Sequence, residues 1–372
     1  MNPVQKKAAA YLSACGYRNK DIATRLNVDD MAVHRALDEA LEQGWLTKPI
    51  CRFSQEEQNE IDTALGIEPQ LQSKLKRVSR GALQEVRVTL TSPKDEEMHF
   101  GGGMHLSRML KDTKLLGCAW GKDLLNTARQ LARIRIRRKI KVFPVRAEPI
   151  SYGERGGASF EYYSVAAVCG TLCDALGVGE FPSLSGVPAI LPWRGAVPKE
   201  MDQYLRLIPG YRQIAVGKAS YLERADTILT SVGPASPVSD WTLEFVKGAG
   251  LPGGWKLSDL VFGDVAGVFL PKPGLDSKQR SFLDHASERM VCLNRRHLET
   301  CVQRCAESQR QCTKGNPHSG GAIICAYSAV KARATLEAVR SQLVSRLIIS
   351  PQVAREVDRL ISEDAESKPC TD

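Results

Sequence analysis

The chain has 372 residues, 43% hydrophobic and 25% charged, an ordinary globular composition with enough apolar side chains for a sizeable core. No run of about 18 apolar residues occurs, which excludes a membrane-spanning helix, and the first residues lack the apolar stretch of a secretory signal, so a cytoplasmic location is expected. Eleven scattered cysteines with no Cys-x-x-Cys exclude a disulfide framework, and the formal net charge of +9 is unevenly placed. Residues 1–50 carry seven Lys/Arg against six Asp/Glu, whereas residues 74–145 carry seventeen against six. That later excess can meet DNA phosphates or an anionic ligand, or simply form a solvated surface.

The first fifty residues read as three short helices. The first spans roughly Gln5 to Cys15 and is stopped by Gly16. Asn19 is placed to cap the second, which runs to Leu26. The turn is Asn27-Val28-Asp29, and Asp29 is placed to cap a third helix with Val33, Leu37 and Leu41 on one face, ended by Gly44. The pattern is that of a helix-turn-helix. Ala23 is small where two helices cross, Asn27 tolerates the left-handed backbone of the turn, and Val33 anchors the third helix. Ile22, Leu26, Val28 and Leu37 complete the small core.

Such a pair presents the third helix to a major groove. Its exposed early positions are Asp30, Met31, His34 and Arg35. Arg35 is the residue type for bidentate contact with guanine, His34 suits a base edge or a phosphate, and Asp30 suits cytosine or the helix dipole. Arg18, Asn19 and Lys20 open the second helix, where amides and cations meet phosphate. Double-stranded DNA is therefore the expected partner, with a three-helix protein-contact module as the alternative. The near-neutral charge of this segment calls for help from a dimer partner or the basic region that follows.

Residues 51–80 are charged and amphipathic and read as a linker helix. From residue 81 short apolar runs alternate with helical patterns, which predicts an α/β domain built on a doubly wound, mostly parallel sheet, with ligands at the carboxyl ends of the strands. The expected strands are Val86–Leu90, Leu115–Ala119, Ile140–Val145, Thr227–Val232, Ala322–Ala326 and Arg346–Ile349. The expected helices are Met104–Leu110, Asp123–Leu131, Val165–Leu176, Leu298–Glu307, Val330–Leu343 and Pro351–Ile361. This gives a DNA-binding unit over 1–50, a linker over 51–80, an effector and oligomerisation domain over 81–363, and a polar, disordered tail over 364–372. Arg133–Val145 is expected to be a basic helix end feeding a buried strand, with a DNA-facing strand as the alternative. Phe100-Gly101-Gly102-Gly103 lacks the spacing of a nucleotide loop and marks a strand-to-helix turn.

Cys169/Cys173 and Cys301/Cys305, the latter followed by Cys312 and His318, put thiols on single helix faces. A metal and a buried apolar face both fit that spacing. The poor match to zinc patterns favours the second, so neither metal nor cofactor is expected.

The order of motifs resembles the SorC-type (SorC/DeoR-like) sugar-binding transcriptional regulators. After the helix-turn-helix come LLGCAWGKDLLNTARQL, VCGTLCDALGVGEFPSLSGVPAILP, ADTILTSVGPA, LVFGDVAGVFL, LNRRHLETCV and the closing GAIICAYSAVKARATLEAVRSQLVSRLIISPQVAREV. The resemblance implies an α/β domain like ribose-phosphate isomerase and glucosamine-phosphate deaminase, a sugar or sugar-phosphate effector, and a homodimer or homotetramer. It implies a pocket in which Trp120, Gly121 and Lys122 form a loop at a helix N-terminus and Gly233 lines the turn after Thr227–Val232. Gly263 and Asp264 give close backbone approach and a hydroxyl acceptor, and Lys331 meets an anion. The sequence departs from the pattern at three places. Asp123 stands where a hydroxyl is usual and would repel phosphate or serve as a helix cap. Tyr327-Ser328 replaces paired glycines, and Ile349-Ser350-Pro351 loses two acids. These changes point to a different effector, or to a domain that only oligomerises. An isomerase- or deaminase-like enzyme is the alternative of another class, with Asp264 and Asp123 as its only nominated carboxylates.

Overall fold

The computed structural model describes residues 1–14, 17–47, 50–51, 69–91, 99–134, 136, 138–147, 164–188, 191, 199–235, 255–311 and 320–366. The stop expected at Gly16, most of the linker over 51–80, Cys312, His318 and the tail beyond 366 lie outside them.

Three helices open the chain: α1 (Pro3–Ala14), α2 (Asn19–Leu26) and α3 (Asp30–Glu42). Ala8, Ala9 and Ala10 of α1 are fully buried with Tyr11 and Leu12, and these small side chains let α2 and α3 approach closely. From α3 the inward stripe is Val33, Ala36 and Ala40, with Leu37 half-buried. Leu41, expected on that face, lies at its edge and is 44% exposed. Lys6 of α1 pairs with Glu39 of α3 at 2.6 Å. An antiparallel hairpin, β1 (Leu46–Thr47) and β2 (Ile50–Cys51), follows α3 and was not expected from the sequence.

Within the expected linker lies α4 (Pro69–Val78), closed by Arg80 and Gly81 at positive φ. Beyond it stands an eight-stranded sheet. Its parallel part comprises β3 (Glu85–Val88), β6 (Leu115–Cys118), β7 (Lys141–Pro144), β8 (Thr227–Pro234), β11 (Gly321–Ala326) and β12 (Arg346–Ile349), in the order β7-β6-β8-β11-β12-β3. Every residue of β6, β11 and β12 is buried, as a parallel sheet covered on both faces requires. Strand β8 runs past β6, and its far end, Val232–Pro234, pairs antiparallel with β9 (Val261–Val265). Strand β9 turns back into β10 (Val268–Pro271). A separate short pair, β4 (Leu90–Thr91) with β5 (His99–Phe100), leads into α5 (Gly102–Met109).

The other long helices are α6 (Lys122–Ile134), α7 (Val165–Leu176), α8 (Lys199–Leu207), α12 (Ser277–Arg289), α13 (Arg295–Gln311), α14 (Ala332–Arg340) and α15 (Pro351–Glu366). Three shorter ones complete the described set: α9 (Pro209–Ala215), α10 (Tyr221–Arg224) and α11 (Leu257–Leu260).

Two helix bounds differ instructively from expectation. The single helix expected over Val330–Leu343 is a 3-10 turn, Ala329–Lys331, followed by α14. It ends where Gln342 turns left-handed (φ 56°) and Leu343 N donates to Ala338 O at 3.0 Å. Helix α15 does not stop at Ile361. It continues to Glu366 because Asp364 accepts from Arg340 Nη2 at 2.5 Å and lies 3.3 Å from Arg333 Nη1, so the first residues of the expected tail, 364–372, are helical. The basic stretch behaves as expected at both ends, with α6 closing at Ile134 and β7 starting at Lys141.

The core is divided. The main cluster fills the α/β sheet, a second unites α1 to α3 with Leu46, and a third lies under the β9–β10 hairpin with Leu257, Phe269 and Leu283.

Candidate nucleic-acid interface and strand-end site

The turn between α2 and α3 has the geometry a helix-turn-helix needs. Asn27 adopts φ 51° and ψ 53°, and Val28 N donates back to Ala23 O at 2.9 Å, which reverses the chain within three residues. Asp29 caps α3 by accepting from Ala32 N at 2.7 Å. Ala23 and Val33 are 7% and 0% exposed at the crossing.

On the outer face Asp30, Met31, His34 and Arg35 are all exposed, Met31 by 64%. Among the described residues, Arg35 Nε bonds to its own helix, 3.3 Å from Met31 O. Arg18 and Lys20 are exposed at the start of α2. Asn19 is not the cap expected of it. Arg18 holds the capping position with extended backbone, and Asn19, the first helical residue, turns its amide to His34 Nε2 at 3.0 Å. The two nominated groups are thus joined across the helices on one surface. The hairpin β1/β2 packs against α1 and α3. Its sequence signal is the β-prone pair Trp45-Leu46 and the run after Pro49.

At the carboxyl ends of β6, β8 and β11 a polar cluster is walled by the main core. Lys331 Nζ donates to Asp123 Oδ2 at 2.8 Å and to Ser231 Oγ at 2.9 Å, and Ser231 in turn donates to Cys325 O. Tyr327 N donates to the same Asp123 oxygen at 2.9 Å. Thr127 Oγ1 donates to Asp123 O at 2.7 Å and therefore accepts from the Tyr327 hydroxyl at 2.5 Å. Asp123 and Tyr327 are 6% and 3% exposed. Tyr327 Oη stands against Gly102, leaving no room for a side chain there. Burial holds the Tyr327 phenol well above its ordinary value, so it stays protonated.

The remaining pocket residues adjoin this cluster. Gly121 faces the Ser231 side chain. Gly233 does not line a turn: it lies within β8, directly opposite Asp264. Gly263 packs so tightly on Gly233 O that any Cβ would collide with it. Asp264 Oδ1 accepts from Gly267 N at 2.6 Å, and burial raises its carboxyl to about 6 despite the nearby Arg146 and Lys331. Trp120 is half-buried against the core, and Lys122 is exposed on the first turn of α6.

Sequence reasoning missed Ser231, Thr127 and Arg146. Arg146 is 1% exposed. Its Nε donates to Ala266 O at 2.6 Å and Nη1 to Val291 O at 3.0 Å, which ties the end of β7 to the β9–β10 turn. A cavity of about 460 Å³ opens beside Pro144 at the end of β7, against Val165, Phe181 and Leu184, and none of the nominated residues lines it.

The paired cysteines are buried. Burial pushes the Cys301 thiol up to about 12 and Cys173 up to about 11, which leaves both protonated at neutral pH. Among the described residues no three His, Cys, Asp or Glu converge on a metal site, and no helix is long and apolar enough to cross a membrane.

No protein-family model matches the sequence, and no curated protein matches it. Solved structures do match. The full-length sorbitol operon regulator SorC from Klebsiella pneumoniae superposes with a TM-score of 0.52, covering 96% of this chain and 98% of that one at 18% identity. The chain has the SorC fold. A probable sor operon regulator from Shigella flexneri gives 0.50 at 16% identity, covering 77% of this chain and 98% of that one. At 96% coverage of this chain, the match to full-length SorC takes in both the helical head and the sheet.

Proposed function

We propose that this protein is a DNA-binding transcriptional regulator. Its head, residues 1–50, reads a double-stranded operator, residues 51–80 link it onward, and the α/β unit over 81–363 binds a sugar-like effector that alters operator affinity. The observation that carries the reading is the surface of the head. A left-handed Asn27 and a capped Asp29 set two helices at a fixed angle, and Asp30, Met31, His34 and Arg35 project from the outer face of the second. Arg35, with Asp30, Met31 and His34, serves as the base-reading set, and Arg18, Asn19 and Lys20 as the phosphate-contacting set. A near-neutral head needs more than one copy on the duplex, which supports a homodimer or homotetramer in the cytoplasm.

The effector site is the strand-end cluster with Trp120, Gly121, Lys122, Gly233, Gly263, Asp264 and Lys331 around it. Both carboxylates that an isomerase or deaminase would need as a base already have partners, Asp123 with Lys331 and Asp264 with the Gly267 amide, so regulation is preferred over catalysis. A second reading, a ligand-independent oligomeric regulator, is favoured by one observation: Tyr327 fills the space beside Gly102.

Genome-wide footprinting with the protein in its own host tests the main reading. Discrete, roughly palindromic sites are expected. Uniform occupancy with no enriched sequence overturns it.

A further inference from the structure

The strand-end cluster contains a cation whose anion is supplied by the chain itself. Lys331 is a lysine with only 16% of its side chain exposed, and Asp123 at 2.8 Å is its partner. The same carboxylate oxygen takes the Tyr327 backbone amide at 2.9 Å, and Lys331 also holds the Ser231 hydroxyl. An ammonium, a backbone amide and the first turn of a 13-residue helix are the donors that bind phosphate oxygens. Here one internal oxygen receives the first two and sits on the third. Tyr327 closes the adjoining space, its hydroxyl fixed through Thr127 to the Asp123 carbonyl and its ring tip seated on Gly102.

We infer that Asp123 acts as a built-in anion that makes this site refuse phosphorylated and other anionic effectors, and that the site takes an uncharged polyhydroxyl compound. The inference rests on the reading of this cluster as the effector site and adds its charge selectivity. A phosphate entering here would have to displace a fixed, buried carboxylate from Lys331 or lie beside it, and like charges at such separation in a poorly hydrated site repel strongly. A neutral sugar or polyol meets no such charge barrier, and enters once Tyr327 moves off Gly102. Ser231, now bonded to Lys331 and the Cys325 carbonyl, and Asp264, now bonded to the Gly267 amide, are the hydroxyl and carboxylate beside the cluster that such a compound would engage by exchange, and Asp264 stands on β9 close enough for Lys331 to influence its ionisation.

The experiment measures thermal stabilisation and calorimetric binding of inorganic phosphate to the full chain and to four variants: Asp123→Asn, Asp123→Ser, Lys331→Met and Asp123→Asn/Lys331→Met. Asn keeps the shape and the acceptor while removing the charge, and Ser also clears room. The native chain is expected to show no saturable phosphate binding. Asp123→Asn or Asp123→Ser, whichever keeps the native circular dichroism, is expected to bind phosphate at least about tenfold more tightly than the native chain, and removal of Lys331 is expected to abolish that gain. Saturable phosphate binding by the native chain that Lys331→Met removes overturns the inference, and so does a folded Asp123 variant with no gain. A parallel arm titrates uncharged hexoses and hexitols against the native chain. Failure of all of them to shift its melting temperature, with the phosphate results as expected, leaves Asp123 as the anion barrier but removes the effector role of the site. The two failures are therefore distinguishable.

Discussion

Asp29 and Asp264 are both carboxylates bonded to a backbone amide, yet their environments give them opposite consequences. Asp29 is exposed and caps α3, so Asp29→Ala should cost about 1 kcal/mol in chemical denaturation without changing the fold. Asp264 is buried, and its carboxyl is raised from 3.8 to about 6. The folded state therefore holds that proton more tightly than the unfolded chain does. Its stabilising contribution is complete below about pH 4 and is lost as pH rises through 6. Asp264→Asn, which keeps the acceptor for Gly267 N, should stabilise the protein at pH 8 by on the order of 1–3 kcal/mol and leave it unchanged near pH 4. Denaturation midpoints at the two pH values check this, and an equal effect at both would contradict it. His105 has the opposite sign. Burial, with Arg87 and Arg108 nearby, holds its imidazole well below 6.5, so its contribution is present above that value and fades as pH falls. At this scale the sequence was legible where a residue's role is local. Asn27 and Asp29 could be read from the turn they stand in. Ser231, Thr127 and Arg146 could not, because what matters about them is a partner 94 to 200 residues away.

Among the elements, strands buried on both faces and helices with sharp stops were the readable ones. Arg346–Ile349 and Val165–Leu176 lie where the apolar runs and the flanking Ser164 and Gly177 place them. Hairpin β1/β2 has two-residue strands, too short for alternation to show, and β9/β10 was visible only as a motif. Helices α8 and α12 were missed because their exposed, charged faces hide a sparse apolar stripe. The glycines before α5 have three separate duties. Gly101 takes a left-handed backbone and faces Tyr11 Oη, Gly102 receives Tyr327, and Gly103 lies on the α6 backbone at Gln130 and Leu131. A methyl group at position 103 would meet main chain that cannot move aside. Gly103→Ala should therefore destabilise the α/β unit by about 1–3 kcal/mol and lower its melting temperature, while Gly81→Ala, with open space around it, should show only the smaller strain of its left-handed backbone. Equal losses at the two positions would contradict the packing described for α5 and α6.

Across the whole molecule, a small helical head and a covered parallel sheet keep separate cores but touch through α5. Met104 packs against the head's cluster, and Tyr11 of α1 reaches the glycine that opens the same helix. The strand-end cluster meets α5 from the other side through Tyr327 and Gly102. A substance that moved Tyr327 would thus act on the element on which the head rests. The alternation of strands and helices made this two-part architecture legible from the sequence, since periodicity reports which faces are covered. The closed state of the strand-end site was not legible, since it depends on a tyrosine and a carboxylate meeting across 204 residues of chain.

The most direct test of the account is a fluorescence-anisotropy titration of the native chain and Arg35→Ala on a duplex carrying a recovered site and on a scrambled duplex, at two salt concentrations. The native chain should bind the site saturably and more weakly at higher salt, and Arg35→Ala should lose roughly tenfold to a hundredfold in affinity for the site while matching the native chain on the scrambled duplex. Identical binding curves for the two proteins on both duplexes would contradict the claim that Arg35 reads a base from the outer face of α3.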